Sequence, residues 1–244
     1  MSKESLRNKK QYTFDDLCEL MEILCAPDGC PWDSVQTHAS IRNNFIEETY
    51  EAVEGIDQND PAIMQEELGD VLLQVMLHCE IAKKNGTFTK DEVLNELCTK
   101  LIFRHPHLFA ENYQADSPEQ AIANWEALKK KEKGFASGAQ VVSSVSAALP
   151  ALMRAQKLAN KALKNGLISS QATAEDICKR AQILQQTVSE GTKEQQQKVL
   201  GQLLFDLSSL ANTLDINAEQ ALFVQNVEFC DNICASCSNE NENI

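Results

Sequence analysis

Helical periodicity runs along nearly the whole chain, and it restricts the fold more than any other feature of the sequence. Apolar residues recur every three or four positions, as in helices with one apolar face, in four segments: 12–24, 38–56, 62–84 and 89–103. A fifth helix is predicted to begin near Pro118 and to reach the basic run 129–133. Because no segment shows the strict alternation of a strand, the sequence predicts an all-α fold.

The residues between these segments are typical of helix ends. The turn 57–60 is followed by Pro61, whose fixed φ suits the first position of a helix. Thr89 and Glu92 have the spacing of a capping box, which predicts that the next helix begins beside them. The segment 105–107 (HPH) is predicted to interrupt the helical chain.

The composition supports the helical prediction and excludes several classes of protein. The 244 residues include only 9 glycines and 6 prolines, too few for the many tight turns of a sandwich or barrel. The net charge of −14 argues against a general nucleic-acid binder, which needs a basic face, but it permits a small anionic substrate held through a metal. We expect a cytoplasmic protein with no membrane partner, because the sequence lacks both a run of about 18 apolar residues and the apolar core of a signal peptide.

The nine cysteines are expected to be reduced thiols, as is usual in the cytosol. Three of them, Cys230, Cys234 and Cys237, have a spacing that can bind an iron–sulfur cluster. They lie within the last fifteen residues, and the sequence predicts no strand or glycine-rich loop beside them. Chance is the favoured interpretation of this spacing, and an iron protein is the alternative.

A segment of small and polar residues, 134–147, is predicted to be a linker. Helical periodicity precedes it in 1–133 and resumes after it in 148–244. The sequence therefore predicts two helical domains joined by this linker.

The two predicted domains resemble each other at two places. The segment 67–73 (ELGDVLL) corresponds to 199–205 (VLGQLLF). Farther along, 89–92 corresponds to 217–220, and both begin eleven residues before their counterparts Lys100 and Glu228. Since the two matches occur in the same order, the sequence predicts two tandem helical-bundle repeats. The alternative is that Leu-Gly-x-x-Leu recurs by chance among helices.

The first domain concentrates carboxylates at helical spacing. Glu48 and Glu51 lie three residues apart in one predicted helix, and Glu67 and Asp70 in the next, so each pair shares a helix face. Because the short turn makes these helices antiparallel neighbours, the four carboxylates can converge between them. Four close carboxylates require protonation or a bound cation. All-oxygen ligation selects a hard ion, Mg²⁺ or Mn²⁺.

Two other interpretations of these carboxylates are open. A di-iron site in a helical bundle would use Glu-x-x-His, whereas the third residue after Glu48 and after Glu67 is acidic, so iron is disfavoured. An ordinary solvated helix face is the other alternative. It is opposed by the apolar residues that flank the carboxylates and predict partial burial: Tyr50, Val53, Leu68, Val71 and Leu72.

Lys100 and Arg104 are candidate phosphate-binding residues. They lie four apart and share a helix face, and cations opposite a carboxylate-bound metal would neutralise phosphate oxygens. Solvent-exposed basic residues near a helix end are the alternative. Trp125, one of two tryptophans, would either stack on a base or pack in the core.

The order of six short segments closely resembles the MazG nucleoside triphosphate pyrophosphohydrolases. The resemblance covers about 12–133, and 149–157 (LPALMRAQK) is similar to the segment that opens the second repeat of two-domain members. The six segments are 29–33 (GCPWD), 36–38 (QTH), 47–51 (EETYE), 67–70 (ELGD), 104–109 (RHPHLF) and 124–126 (NWE).

This resemblance implies an all-α, usually dimeric enzyme that acts on nucleoside triphosphates. Such an enzyme cleaves between the α and β phosphates with Mg²⁺, releases the monophosphate and pyrophosphate, and cleans the nucleotide pool. By the family pattern, Lys100 and Arg104 would hold the triphosphate and Trp125 would contact the nucleotide. Glu47 is our candidate for orienting the attacking water. The implied metal ligands are Glu48, Glu51, Glu67 and Asp70.

The second predicted repeat departs from the family pattern, because two-domain relatives normally carry a second carboxylate set there. The counterparts of Glu48 and Glu51 fall near 182–186, which contains no carboxylate. This repeat is therefore predicted to be a catalytically inactive scaffold. The other replacements are Val199 for Glu67, Gln202 for Asp70, Glu228 for Lys100 and Asn232 for Arg104.

A protein that binds nucleotide for regulation or as a scaffold, without turnover, is the alternative function. It predicts Mg²⁺-dependent nucleotide binding without product. The preferences for base and sugar are not determined by the sequence.

Overall fold

The computed structural model describes residues 3–111 and 114–241, and within these ranges every regular element is helical. The predicted all-α fold is confirmed. The chain divides into two compact units, one up to Ala121 and one from Ile122 onwards. The first contains α1 (Lys3–Arg7), α2 (Phe14–Cys25), a 3₁₀ turn (Asp33–Val35), α3 (Arg42–Asp57), α4 (Pro61–Lys84), α5 (Lys90–Arg104) and α6 (Pro106–Phe109).

Helix α7 (Pro118–Glu132) begins before the division between the units and ends after it. The remaining helices of the second unit are α8 (Gly138–Ser143), α9 (Ala151–Lys164), α10 (Ala174–Glu190), α11 (Lys193–Thr213) and α12 (Ala218–Asn241). This division lies between Ala121 and Ile122, whereas the predicted domains are 1–133 and 148–244. The predicted bounds stay a prediction.

Side-chain caps mark the beginnings of several helices. The Thr13 hydroxyl accepts a hydrogen bond from Asp16 N while the Asp16 carboxylate accepts one from Thr13 N, so α2 begins at Phe14 rather than at the predicted position 12. The predicted capping box of Thr89 and Glu92 is confirmed at the start of α5.

Three short helices lie where the sequence pattern predicted none. Helix α1 precedes the first predicted helix, and α6 begins directly after His105, so the predicted interruption at 105–107 is confined to one residue. The predicted linker also contains α8, because Ser137 and Gln140 form a capping box and Val141 and Val145 are buried.

The hairpin of α3 and α4 positions the predicted carboxylates. Asp60 caps α4 by accepting hydrogen bonds from Ala62 N (2.8 Å) and Ile63 N (3.3 Å), and Pro61 occupies the first helical position as predicted. At the closed end, a Cβ on Gly55 would lie 2.8 Å from Met64 N. Glycine therefore allows the two backbones to approach closely.

The apolar core of the first unit joins α2 and α4. Met21, Ile41 and Leu77 are fully buried, and Met76 and Ile81 pack with them. Ile41, just before α3, belongs to this core. The apolar residues at helical spacing along α3 itself are exposed: Phe45, Ile46, Tyr50, Val53 and Ile56.

The second unit repeats the helical hairpin. Helices α10 and α11 contact each other and are capped by Thr173 and Thr192. Gly69 and Gly201 occupy the same position counted from the first residues of α4 and α11, and Lys100 and Glu228 do so in α5 and α12. These residue positions are thus consistent with the predicted tandem repeat.

A bilayer-spanning helix would have to be longer and more apolar than any found in the described parts of the chain.

Candidate metal centre

Three carboxylates from two helices converge in the first unit. Glu48 of α3 and Glu67 and Asp70 of α4 each present an oxygen, and these oxygens all lie within 4.8 Å of one another. All three residues are half-buried. The antiparallel hairpin therefore brings together three of the four predicted metal ligands.

Glu51, the fourth predicted ligand, lies at the edge of this cluster. It is exposed on α3, one helical turn after Glu48, and a hydrogen bond between the two carboxyl groups contributes to the raised pKa of Glu48. Glu51 also repels the charge on Glu67. Glu47, the candidate for orienting water, is exposed beside Glu48.

The cluster is electrostatically unfavourable without a cation. Burial raises the pKa of Glu48, and the negative charges of Asp70, Glu51 and Glu67 raise it further. Burial also raises the pKa of Glu67, with added repulsion from Glu51 and other nearby carboxylates. Both shifts mean that these groups hold protons more tightly than ordinary glutamates. A divalent cation would remove this repulsion.

The donor set fits a hard metal ion. Carboxylate oxygens are the preferred ligands of Mg²⁺ and Mn²⁺, and neither nitrogen nor sulfur belongs to the cluster. Glu48, Glu67 and Asp70 could thus hold such an ion, and Glu51 stays a predicted fourth ligand. Among the described residues, this is also the one group of three acidic, histidine or cysteine side chains close enough to bind a metal.

The apolar residues around the cluster are more exposed than the sequence predicted. Tyr50 is 56% exposed and Leu68 53%, and Val53 and Leu72 are exposed as well, whereas Val71 is half-buried. The predicted partial burial is nevertheless confirmed for Glu48, Glu67 and Asp70.

Lys100 and Arg104 lie one turn apart near the end of α5, which contacts α4. Lys100 is half-buried and Arg104 is only 6% exposed. The alternative of solvent-exposed basic residues is therefore wrong for Arg104. The roles of Lys100 and Arg104 in substrate binding stay predictions.

Trp125 lies on the part of α7 that belongs to the second unit. It is half-buried, and the Lys129 ammonium lies 4.6 Å from the centre of its ring, a cation–π contact. Its predicted contact with a nucleotide stays a prediction.

Gln74 is a buried polar residue on the same helix as Glu67 and Asp70, and the sequence pattern did not single it out. Gln74 lies one turn after Asp70 on α4 and is only 4% exposed. Its Oε1 is buried without a hydrogen-bond partner among the described residues. The spacing of Glu67, Asp70 and Gln74 along one helix face was the available signal.

The second unit contains an ion pair where the first has its carboxylate cluster. On α10, Arg180 donates hydrogen bonds from Nε to Asp206 Oδ2 (3.0 Å) and from Nη1 to Gln202 Oε1 (3.2 Å) on α11. The counterparts of Lys100 and Arg104, which are Glu228 and Asn232, are exposed on α12. Cys230 and Cys234 are also exposed there, and Cys237 lies outside the residues whose side chains are described.

Fold and site together define an all-α protein with a candidate hard-metal centre in a helical hairpin. Comparison with known proteins identifies the family. The MazG nucleotide pyrophosphohydrolase domain matches residues 36–109, which include the whole carboxylate cluster.

Curated relatives extend the similarity to most of the chain. The nucleoside triphosphate pyrophosphohydrolase/pyrophosphatase MazG of Thermotoga maritima is 36% identical over 211 residues, which cover 86% of this chain and 79% of that protein. A nucleoside triphosphate pyrophosphohydrolase of Escherichia coli is 33% identical over 222 residues, 88% of this chain and 83% of that protein. One from Mycobacterium tuberculosis is 41% identical over 139 residues, 56% of this chain and 41% of that protein. The chain belongs to the MazG family.

Proposed function

We propose that the first unit is a Mg²⁺-dependent nucleoside triphosphate pyrophosphohydrolase, which cleaves the bond between the α and β phosphates. The convergence of Glu48, Glu67 and Asp70 within 4.8 Å is the observation that carries this proposal. It is supported by the family membership and by relatives that are named as nucleoside triphosphate pyrophosphohydrolases. The products are a nucleoside monophosphate and pyrophosphate.

The carboxylates of α3 and α4 provide the metal ligands in this proposal. Glu48, Glu51, Glu67 and Asp70 hold Mg²⁺, and Mn²⁺ is the alternative ion with the same preference for oxygen. Bound there, the ion supplies Lewis-acid polarisation of phosphate oxygens and lowers the pKa of a bound water.

The remaining predicted residues act on the substrate and the water. Glu47 accepts a hydrogen bond from the water that attacks the α phosphorus, as the anhydride bond to the β phosphate breaks. Lys100 and Arg104 neutralise the charge that develops on the pyrophosphate leaving group. Trp125 contacts the nucleoside. These roles accord with the acidic hairpin and with the cations on the neighbouring α5.

We also propose that two copies of the chain form a homodimer in the cytoplasm. The support is the number of apolar side chains left exposed on α3, α4 and α5. Burial of an apolar face in a second copy is a common reason for such exposure. The exposed residues include Tyr50, Ile56, Leu68, Leu101, Ile102 and Phe103.

A substrate panel tests the enzymatic proposal. Purified protein is incubated with canonical and damaged nucleoside triphosphates with and without Mg²⁺, and pyrophosphate is measured beside the Glu67→Ala variant. In ¹⁸O-labelled water, attack at the α phosphorus places the label in the monophosphate. Release of a nucleoside diphosphate and inorganic phosphate would contradict the proposal. The absence of product from every substrate would contradict it as well.

A further inference from the structure

One cation, Arg180, connects α10 with α11 in the second unit. The Arg180 guanidinium, 31% exposed, bonds Asp206 (3.0 Å), which is 19% exposed, and Gln202 (3.2 Å). The two partners lie one turn apart on α11, so a single side chain of α10 connects two successive turns of the facing helix.

The same two kinds of side chain occupy the matching positions of the first unit in reversed order. Asp70 follows Gly69 directly and Gln74 lies one turn later, whereas Gln202 follows Gly201 and Asp206 lies one turn later. In the second unit, a guanidinium satisfies both the carboxylate and the amide oxygen. In the first unit, the Gln74 oxygen is buried with no hydrogen-bond partner in the described part of the chain, and the Asp70 charge adds to the repulsion on Glu48.

The position of Arg180 corresponds to the acidic part of α3. If the last residues of α3 and α10 are matched, Glu48 pairs with Ala181, the residue after Arg180. The second hairpin thus has a permanent positive charge near the place where the first hairpin has Glu48. A guanidinium keeps its charge at every accessible pH and binds in a fixed planar geometry.

We propose that Arg180 takes the place of the divalent cation in the second hairpin. Only the first hairpin of each chain then binds metal, and α10 and α11 hold together without it. This inference rests on the proposed metal site of the first unit. It explains why the second hairpin tolerates Val199 in place of Glu67: a metal ligand has no function beside a guanidinium.

The competing explanation is an ordinary ion pair on a helix surface. Such pairs contribute little to stability and have no relation to metal binding. The two explanations differ for a carboxylate at position 180. If Arg180 replaces a cation, then the Arg180→Glu variant has two carboxylates and an amide oxygen at that place, which is a ligand set that Mn²⁺ can bind.

Hydrogen exchange of the full-length protein, followed by mass spectrometry, resolves the two hairpins separately. In the wild type, we expect Mg²⁺ or Mn²⁺ to slow exchange in α3 and α4 and to leave α10 and α11 unchanged. In Arg180→Glu without metal, exchange in α10 and α11 should be about 10-fold faster, and millimolar Mn²⁺ should restore it. Lys179→Glu is the matched control, because Lys179 is 64% exposed and carries the same charge.

Several results would overturn the inference. Slower exchange of wild-type α10 and α11 with Mn²⁺ would place a metal there. An Arg180→Glu variant that behaves like Lys179→Glu, or that is destabilised but unaffected by Mn²⁺, would leave Arg180 as an ordinary ion pair. If Arg180→Glu does not fold without metal, it is refolded with and without millimolar Mn²⁺: recovery only with Mn²⁺ would support the inference, and no recovery with Mn²⁺ would contradict it. A missing metal effect in wild-type α3 and α4 would instead contradict the proposed function.

Discussion

The hairpins α3–α4 and α10–α11 have the same architecture and opposite electrostatics. Each consists of two antiparallel helices joined by a short turn, with a glycine at the same position of the second helix. In the first, Glu48, Glu67 and Asp70 converge and their charges repel. In the second, Arg180 neutralises Asp206.

This difference supports the proposal that one helical scaffold serves chemistry in the first unit and structure in the second. A site that binds a cation keeps an uncompensated negative charge, which costs stability until the ion is bound. A hairpin with an internal guanidinium avoids that cost and loses the place for the ion. The net charge of −14 therefore does not oppose phosphate binding, because three of the carboxylates converge where a cation could bind.

Among the changes that test this comparison, removal of one charge from the carboxylate cluster should have the largest effect, a loss of activity. We expect Glu67→Gln to lower kcat/KM by about 100-fold or more, because metal stabilisation of the transition state is worth several kcal/mol. The control is Glu66→Gln, which changes the exposed neighbour. Pyrophosphate release under saturating Mg²⁺ measures both. Near-wild-type activity of Glu67→Gln would contradict a catalytic role for the carboxylate cluster of the first hairpin.

Loss of a cation from α5 should have the next largest effect. Lys100→Gln should lower kcat/KM by about 10- to 100-fold, because one charge opposite the leaving group is lost. Glu228 occupies the same position in α12, so Glu228→Gln should leave the rate unchanged. Equal effects of the two variants would show that both units contribute to turnover.

Gly55 tests how closely the helices of the first hairpin must approach. In Gly55→Ala, the added Cβ would lie 2.8 Å from Met64 N, and we expect a loss of about 1–3 kcal/mol in the free energy of unfolding. Val188 is the control: it lies as far from the end of α10 as Gly55 lies from the end of α3, and it is exposed. Val188→Ala should change the free energy of unfolding by about 0.5 kcal/mol or less. Urea unfolding measures both. A neutral Gly55→Ala would contradict the close approach.

The smallest expected effect is a change of folding stability with pH. Burial and nearby carboxylates raise the pKa of Glu48 and Glu67 above the ordinary 4.5. The native state then binds these protons more tightly than the unfolded chain, so their contribution to stability falls as pH rises from 4.5 to the raised pKa values. Mg²⁺ should remove this fall by replacing the protons.

Urea midpoints across this pH window, with and without Mg²⁺, measure the effect. The Glu48→Gln variant should show a smaller pH dependence than the wild type without metal. A pH dependence that is the same with and without Mg²⁺ would contradict an ion bound at the cluster.

Local signals made most of the fold predictable. The caps at Thr89 and Asp60 involve neighbours in sequence, so the starts of α5 and α4 followed from the residues alone. Helix α8 was missed because its six residues are too few to show a period, although Ser137 and Gln140 form a capping box. The exposure of Tyr50 depends on contacts across the molecule, which periodicity does not report.

The site was predictable to the extent that it follows helix spacing. Glu67 and Asp70 share a face of α4, and the short turn places Glu48 opposite them. The bonds of Arg180 to Gln202 and Asp206 were not predictable, because they depend on the register of α10 against α11. Gln74 has the right spacing, but only the structure shows that its Oε1 is buried without a described partner.

The central claim is that the chemistry belongs to the first hairpin alone. Anomalous diffraction from crystals soaked with Mn²⁺ and a non-hydrolysable nucleoside triphosphate analogue tests it most directly. The account predicts manganese peaks between α3 and α4, within bonding distance of Glu48, Glu67 and Asp70, and none beside Arg180. A manganese peak between α10 and α11, or a nucleotide-bound metal away from the α3–α4 carboxylates, would contradict it.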